Sequence, residues 1–148
     1  MRSYDKSILR LLDACKRSLS GIENKSLIFI LSDDKNELER LCKALIETAN
    51  SGFLITRKEI AALLVEVLQE PHEQKIIPKI KITDLLFVTD FEVMAGKERS
   101  QKIMYELLRE RFAEGMQTIV FSTRNVFDED AYMIQMKILF ELADNFNI

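Results

Sequence analysis

Apolar residues along this chain follow two rhythms. Unbroken apolar runs at residues 26–32 (SLIFILS), 52–56 (GFLIT), 84–90 (DLLFVTD) and 118–123 (TIVFST) present no polar face, as strands buried on both sides of a parallel sheet require. Between them, apolar positions recur every three or four residues. Leu38, Leu41, Cys42 and Leu45 form one set, Ile60, Leu63, Leu64, Val67 and Leu68 a second, and Ile103, Met104, Leu107, Leu108 and Phe112 a third. This spacing predicts helices over about 36–49, 57–69 and 97–114. The same rhythm in Ile8, Leu11, Leu12, Cys15 and Leu19 predicts a helix over about 5–19 that ends near Gly21. A last helix is predicted over about 128–143, opened by Asp128, Glu129 and Asp130 near its positive end. Residues 70–82, EPHEQKIIPKIKI, hold both prolines and read as a connection with some extended character.

Alternating helix and strand predicts an α/β domain, a three-layer αβα sandwich around a parallel sheet of about four strands. Ligands of such sheets gather at the carboxyl ends of the strands, here residues 32–35, 56–58, 89–92 and 122–125. Composition narrows this picture only slightly. The 148 residues suit a single domain over 1–148, and 47% hydrophobic with 30% charged residues describes an ordinary soluble protein. A net charge of -3 argues against coating nucleic acid by bulk electrostatics. Cys15 and Cys42 fall on apolar helix faces and read as buried reduced thiols, and one histidine, His72, supports no zinc site. No run approaches a membrane span and the N-terminus lacks a secretory pattern, so a cytoplasmic protein is expected.

Residues 84–101, DLLFVTDFEVMAGKERSQ, are the most legible stretch. They resemble the Walker B region of the bacterial chromosomal replication initiator (DnaA) family of AAA+ ATPases, which typically reads D-[VA]-L-L-I-D-D-I-Q-F-[IL]-A-G-K-E-[RK]-[TS]-Q. The likeness continues in register: FLITRKEIAALLVEVL resembles the second strand and following helix of the family, EGMQTIVFSTRN its sensor-1 strand, and KSLIFILSD its phosphate-loop strand. It covers about residues 5–125. The resemblance implies the P-loop NTPase fold of AAA+ type, here without a lid or a DNA-binding domain.

Departures from the family fall on the nucleotide site. A phosphate loop reads G-x-x-x-x-G-K-[ST], because backbone N–H groups close around phosphates, the lysine neutralises them and the hydroxyl holds magnesium. The matching residues 32–39 are SDDKNELE: Ser32 and Glu37 stand at the glycines, Leu38 at the lysine and Glu39 at the hydroxyl position. Asp33, Asp34, Glu37 and Glu39 crowd negative charge where a triphosphate would lie. Of the family's two acidic residues at the end of the Walker B strand, the first is Thr89 and only Asp90 is retained. No enzymatic turnover, cofactor or metal is expected. Lys35 and Asp90 are the residual nucleotide candidates, and Asp90 is also suited to capping the turn over 91–97.

Two charged stretches remain. The retained turn and the helix after it, with Lys97, Glu98, Arg99, Gln101 and Arg109, read either as a solvated face, together with Glu110 and Arg111, or as a surface for a protein partner. Lys75, Lys79 and Lys81 form a weak nucleic-acid candidate that lacks interleaved aromatics. Met133 and Met136 read as packing. In the family sheet the phosphate-loop strand is interior, so with four strands residues 27–31 would be an open edge, inviting a homodimer or docking of the last helix. The function expected is a non-catalytic regulator or adaptor of DNA replication initiation that contacts the initiator or the helicase-loading machinery. A residual nucleotide-binding or ATPase domain and a small DNA-binding module are the alternatives.

Overall fold

The computed structural model describes Asp13, residues 26–127 and residues 130–148. The helix expected over 5–19, with Cys15, and the acidic opening at Asp128 and Glu129 otherwise lie outside the described residues. Strand β1 (Leu27–Leu31) leads into helix α1 (Lys35–Ala49), and β2 (Phe53–Ile55) into α2 (Arg57–Glu66). A 3-10 turn (Pro71–Glu73) and α3 (Ile76–Ile82) then precede β3 (Leu85–Val88). A second 3-10 turn (Phe91–Met94) opens toward α4 (Glu98–Ala113), and β4 (Gln117–Ser122), α5 (Ile134–Glu141) and β5 (Asp144–Asn147) complete the order.

All pairings are parallel and the sheet order is β2-β3-β4-β1-β5. The expected strands and the three central helices are present. Inward and outward positions of β1 separate two cores, as the period of a strand dictates. Leu27 and Phe29 join Ile55, Leu86, Val88 and Val120 under α2, α3, α4 and α5. Ile28 and Ile30 join Leu85, Phe87, Ile119 and Phe121 under α1, through Leu38, Leu41, Cys42 and Leu45. Burial and the nearby Asp90 charge push the Cys42 thiol up to about 12, so it packs as an inert small hydrophobe.

Local chemistry sets the element ends. Asn50 adopts the left-handed conformation (φ 53°) that ends α1, and a capping box of Thr56 and Glu59 starts α2. Gly52 is required twice over: its φ is 122°, and a Cβ would stand 2.8 Å from the Phe87 ring.

Three expectations about elements need correction. Residues 70–82 are not extended. Pro71 begins a 3-10 turn and Pro78 sits in the first turn of α3, where its missing N–H costs nothing. The buried Glu66 Oε1 accepts the N–H groups of Lys75 and Ile77 at 3.0 and 2.7 Å, supplying the start of α3 with the acceptor that its own sequence lacks. The last helix is shorter than expected, beginning at Ile134, and the sheet has five strands rather than about four. β5 pairs with β1 from Ile28↔Asp144 to Leu31↔Asn147, so neither an open edge nor a docked helix flanks β1, and the premise for a homodimer there is gone.

The end of the sheet away from the strand carboxyl ends is held by Arg111, which the charge pattern had assigned to the solvent face of α4. It is 1% exposed. Its guanidinium donates to the carbonyls of Ile80, Thr83 and Gln117 and to Thr118 Oγ1, at 2.6 to 2.8 Å. Burial pushes the group down to about 10, against a weak opposing pull from Asp84, which leaves it charged at neutral pH. It therefore ties α3, α4 and β4 through charge-assisted bonds in place of a carboxylate partner.

Candidate functional site

The β1–α1 connection is three residues long, Ser32 to Asp34, because the helix already begins at Lys35. Leu38, at the position of a phosphate-loop lysine, is consequently in the helix and 4% exposed against the sheet. Ser32 Oγ accepts the Asp34 N–H at 3.1 Å. Asp34 Oδ1 in turn accepts the N–H groups of Asn36 at 3.0 Å and Glu37 at 3.2 Å. These are donors that the first turn of such a helix would otherwise offer to a bound anion. The chain's own carboxylate occupies the positive end of α1. Glu37 pairs with Arg40 at 2.9 Å.

Lys35 and Asp90 are brought together, onto each other. Lys35 Nζ lies 3.3 Å from Asp90 Oδ1, while Asp90 Oδ2 accepts the Arg57 N–H at 3.3 Å and faces Arg57 Nε at 3.8 Å. Asp90 has a positive φ of 59°, which turns its side chain toward α1 and α2. The expected capping of the 91–97 turn by Asp90 is absent; that turn has no side-chain cap. One carboxylate thus links the starts of two helices to the end of β3. Glu92, which the sequence did not single out, accepts the Thr123 N–H at 2.9 Å through Oε1 and so ties the end of β4 to the same turn. Ser122 Oγ folds back on Arg124.

The stretch Ala95 to Gln101 divides into a buried and an exposed part. Gln101 is 2% exposed, which corrects the expectation that it is a contact residue for a partner. Its Nε2 donates to the Met94 and Ala131 carbonyls at 2.8 and 2.7 Å, and its Oε1 accepts the Met133 N–H at 2.8 Å. Gly96 adds an N–H bond to Ala131 O at 2.9 Å while holding a φ of 73°. Much of the signature therefore fastens the chain before α5 to the start of α4. Lys97, Glu98 and Arg99 are exposed, and Arg109 is exposed and paired with Glu106 at 2.8 Å. Met136 is buried and Met133 packs against the same core.

Lys75, Lys79 and Lys81 sit at the start of, and along, a helix rather than on an extended strip. Lys79 Nζ lies 5.1 Å from the centre of the Phe53 ring, and Lys81 Nζ 3.9 Å from Glu110 Oε2. Beside them runs a groove of about 520 Å³ whose walls include Val67, Ile77, Ile103 and Leu107, with Lys81, Arg99 and Lys102 set against Glu106 and Glu110. Among the described residues no cluster of His, Cys, Asp and Glu could hold a metal, and no helix is long and apolar enough to cross a membrane.

No protein-family model matches the sequence, and no curated protein matches it. Solved structures match its fold. AMPPCP-bound DnaA from Aquifex aeolicus superposes with a TM-score of 0.81 at 20% identity, over 99% of this chain and 48% of that one. Domain III of the Thermotoga maritima replication initiation protein DnaA gives 0.80 at 14% identity, over 98% and 63%. The DnaC helicase loader gives 0.67 at 11% identity, over 100% and 93%. The chain spans about half the length of the first of these. Its fold is that of the AAA+ domain of DnaA, as the resemblance at 84–101 implied, and the DnaC helicase loader shares it.

Proposed function

We propose that this domain serves DNA replication initiation without binding or hydrolysing nucleotide, and acts as a regulator or adaptor through surface contacts with the initiator or the helicase-loading machinery. The Asp34 carboxylate at the start of α1 carries this reading. A nucleotide at the family's position would have to displace that carboxylate from two N–H donors, and would meet Asp33, Glu37 and Glu39 beside it. The Lys35–Asp90 pair supports it further, since each residual nucleotide candidate already serves the other. Fold neighbours that are replication initiators and a helicase loader support the setting.

Titration calorimetry with ATP and magnesium tests the first half: no heat of binding is expected, and micromolar affinity would overturn the reading. For the second half, the tagged chain should retain the host's initiator or helicase loader, and a pull-down that recovers neither speaks against it.

One observation favours a second reading, contact with single-stranded DNA. Lys81, Arg99 and Lys102 converge on one apolar-walled groove, and a neighbour by fold is a DnaA bound to single-stranded DNA. Glu106 and Glu110 in the same groove weaken it. Binding of oligothymidine that falls steeply with salt would promote this reading over protein contact.

A further inference from the structure

Helix α5 is apolar on both of its sides. Met136, Leu139 and Phe140 are buried against the sheet, yet Ile134, Ile138 and, at the C-cap, Leu142 are 70, 55 and 63% exposed. Four positions apart, these three line up in one row on the side of the helix opposite the core. A single exposed apolar side chain is ordinary on a protein surface. A row running the whole length of an eight-residue helix is instead the pattern of a helix that is covered from both sides.

The charges beside the row say what covers it. Lys137 is half-buried and Glu141 exposed, one turn apart on the same flank of the row, and neither makes an ion pair within the described residues. If two copies meet with these helices antiparallel about a two-fold axis at Ile138, Ile134 lies against Leu142 of the second copy and Ile138 against its own counterpart. The flank then meets itself in reverse, so that Lys137 of each copy faces Glu141 of the other. The row therefore carries its own complementary charges.

We propose that α5 pairs with α5 of a second copy of this chain, antiparallel about a two-fold axis at Ile138, closing the apolar row and forming two Lys137–Glu141 pairs across it. A membrane surface is the poorer occupant, because one lysine and one glutamate beside the row offer no surplus of cations to anionic lipid. Pairing two such rows removes on the order of 800 Å² from water, less than the ~1,200 Å² at which stable interfaces begin, so the dimer is weak and reversible, with a Kd of about 100 μM. It uses the outer helical layer rather than a strand edge, and needs neither nucleotide nor a replication partner.

Sedimentation equilibrium of the full chain, from about 10 μM to about 1 mM, tests this pairing. The parent should pass from monomer to dimer and no further, and Ile138→Glu, which sets two like charges on the axis, should weaken association at least about thirtyfold. Lys137→Glu and Glu141→Lys should each weaken it about fivefold. The double swap Lys137→Glu with Glu141→Lys should restore the parent affinity, because the antiparallel pairing of this flank only exchanges the two charges. Each variant should keep the parent's circular dichroism, since these side chains stand outside the core. A parent that stays monomeric at about 1 mM, a dimer indifferent to Ile138→Glu, or a double swap no better than the single reversals would each overturn the proposal. So would pelleting of a monomeric parent with phosphatidylserine vesicles that Ile138→Glu abolishes.

Discussion

Helices α1 and α4 both start at the carboxyl end of the parallel sheet, and their first turns are furnished in opposite ways. At α1 an Asp34 carboxylate takes two N–H groups, and Lys35 is turned onto Asp90. At α4 the cap position holds a lysine that caps nothing, over a cleft edged by cations. The position that a phosphate loop would use is internally satisfied, while the one beside the retained signature is left open. Both first turns hold an acidic residue, Glu37 in α1 and Glu98 in α4, so what distinguishes the two starts is the capping bond that Asp34 makes and Lys97 does not.

The largest effect should come from removing what frames the open end. Gln101→Ala would leave the Met94 and Ala131 carbonyls and the Met133 N–H without their partner, three polar groups at about 1 kcal/mol or more each, for a loss of about 3 kcal/mol. Urea denaturation followed by circular dichroism measures it. A loss under about 1 kcal/mol would mean that the Gly96–Ala131 bond and apolar packing hold the turn, and that the open first turn of α4 is not built around Gln101.

The same residue shows where sequence reading stopped. The AGKERSQ turn was recognisable as a pattern, but a pattern does not say which of its members point inward; Gln101 was read with Lys97 and Arg99 as surface. Arg111 was misplaced for the same reason, since a cation that bonds carbonyls, a hydroxyl and a thioether sulfur leaves no complementary acid in the sequence to find. β5 was missed because DNFN carries one apolar residue, Phe146, and gains its stability from the ladder to β1 rather than from its own composition. α3 was missed because two prolines suggested a break and its start is satisfied by Glu66, nine or more residues away in the chain. By contrast β1, β3 and β4 were legible, being apolar on both faces. At the candidate site, the loss of the glycines was visible in SDDKNELE, whereas the capping by Asp34 and the pairing of Lys35 with Asp90 depend on where the helix starts.

Asp34→Ala strips α1 of its cap and should cost about 1 kcal/mol in the same assay. It also brings α1 to the condition of α4, with open donors, and inorganic phosphate should then raise the variant's stability measurably while leaving the parent unchanged. If phosphate stabilises the parent equally, the carboxylate was not filling the anion position. The converse change, Lys97→Ser, gives α4 a cap of its own and should stabilise the domain by about 0.5 kcal/mol.

The smallest expected effect separates the two starts by electrostatics alone. Lys35→Met removes the cation facing Asp90 while keeping the length of the side chain, and the Lys35 side chain is 47% exposed, so solvent and salt screen most of the attraction. Asp90 also retains Arg57, through both its N–H and its side chain. The expected loss is ~0.5 kcal/mol or less at low salt, vanishing near 1 M sodium chloride. The informative part is calorimetric: with Lys35 gone, a site already closed by Asp34 should still show no heat with ATP and magnesium, because the obstacle lies in the helix start and not in the ion pair. Binding that appears in Lys35→Met but not in the parent would place the obstacle in the ion pair, and the contrast between a closed α1 and an open α4 would then rest on one exposed lysine.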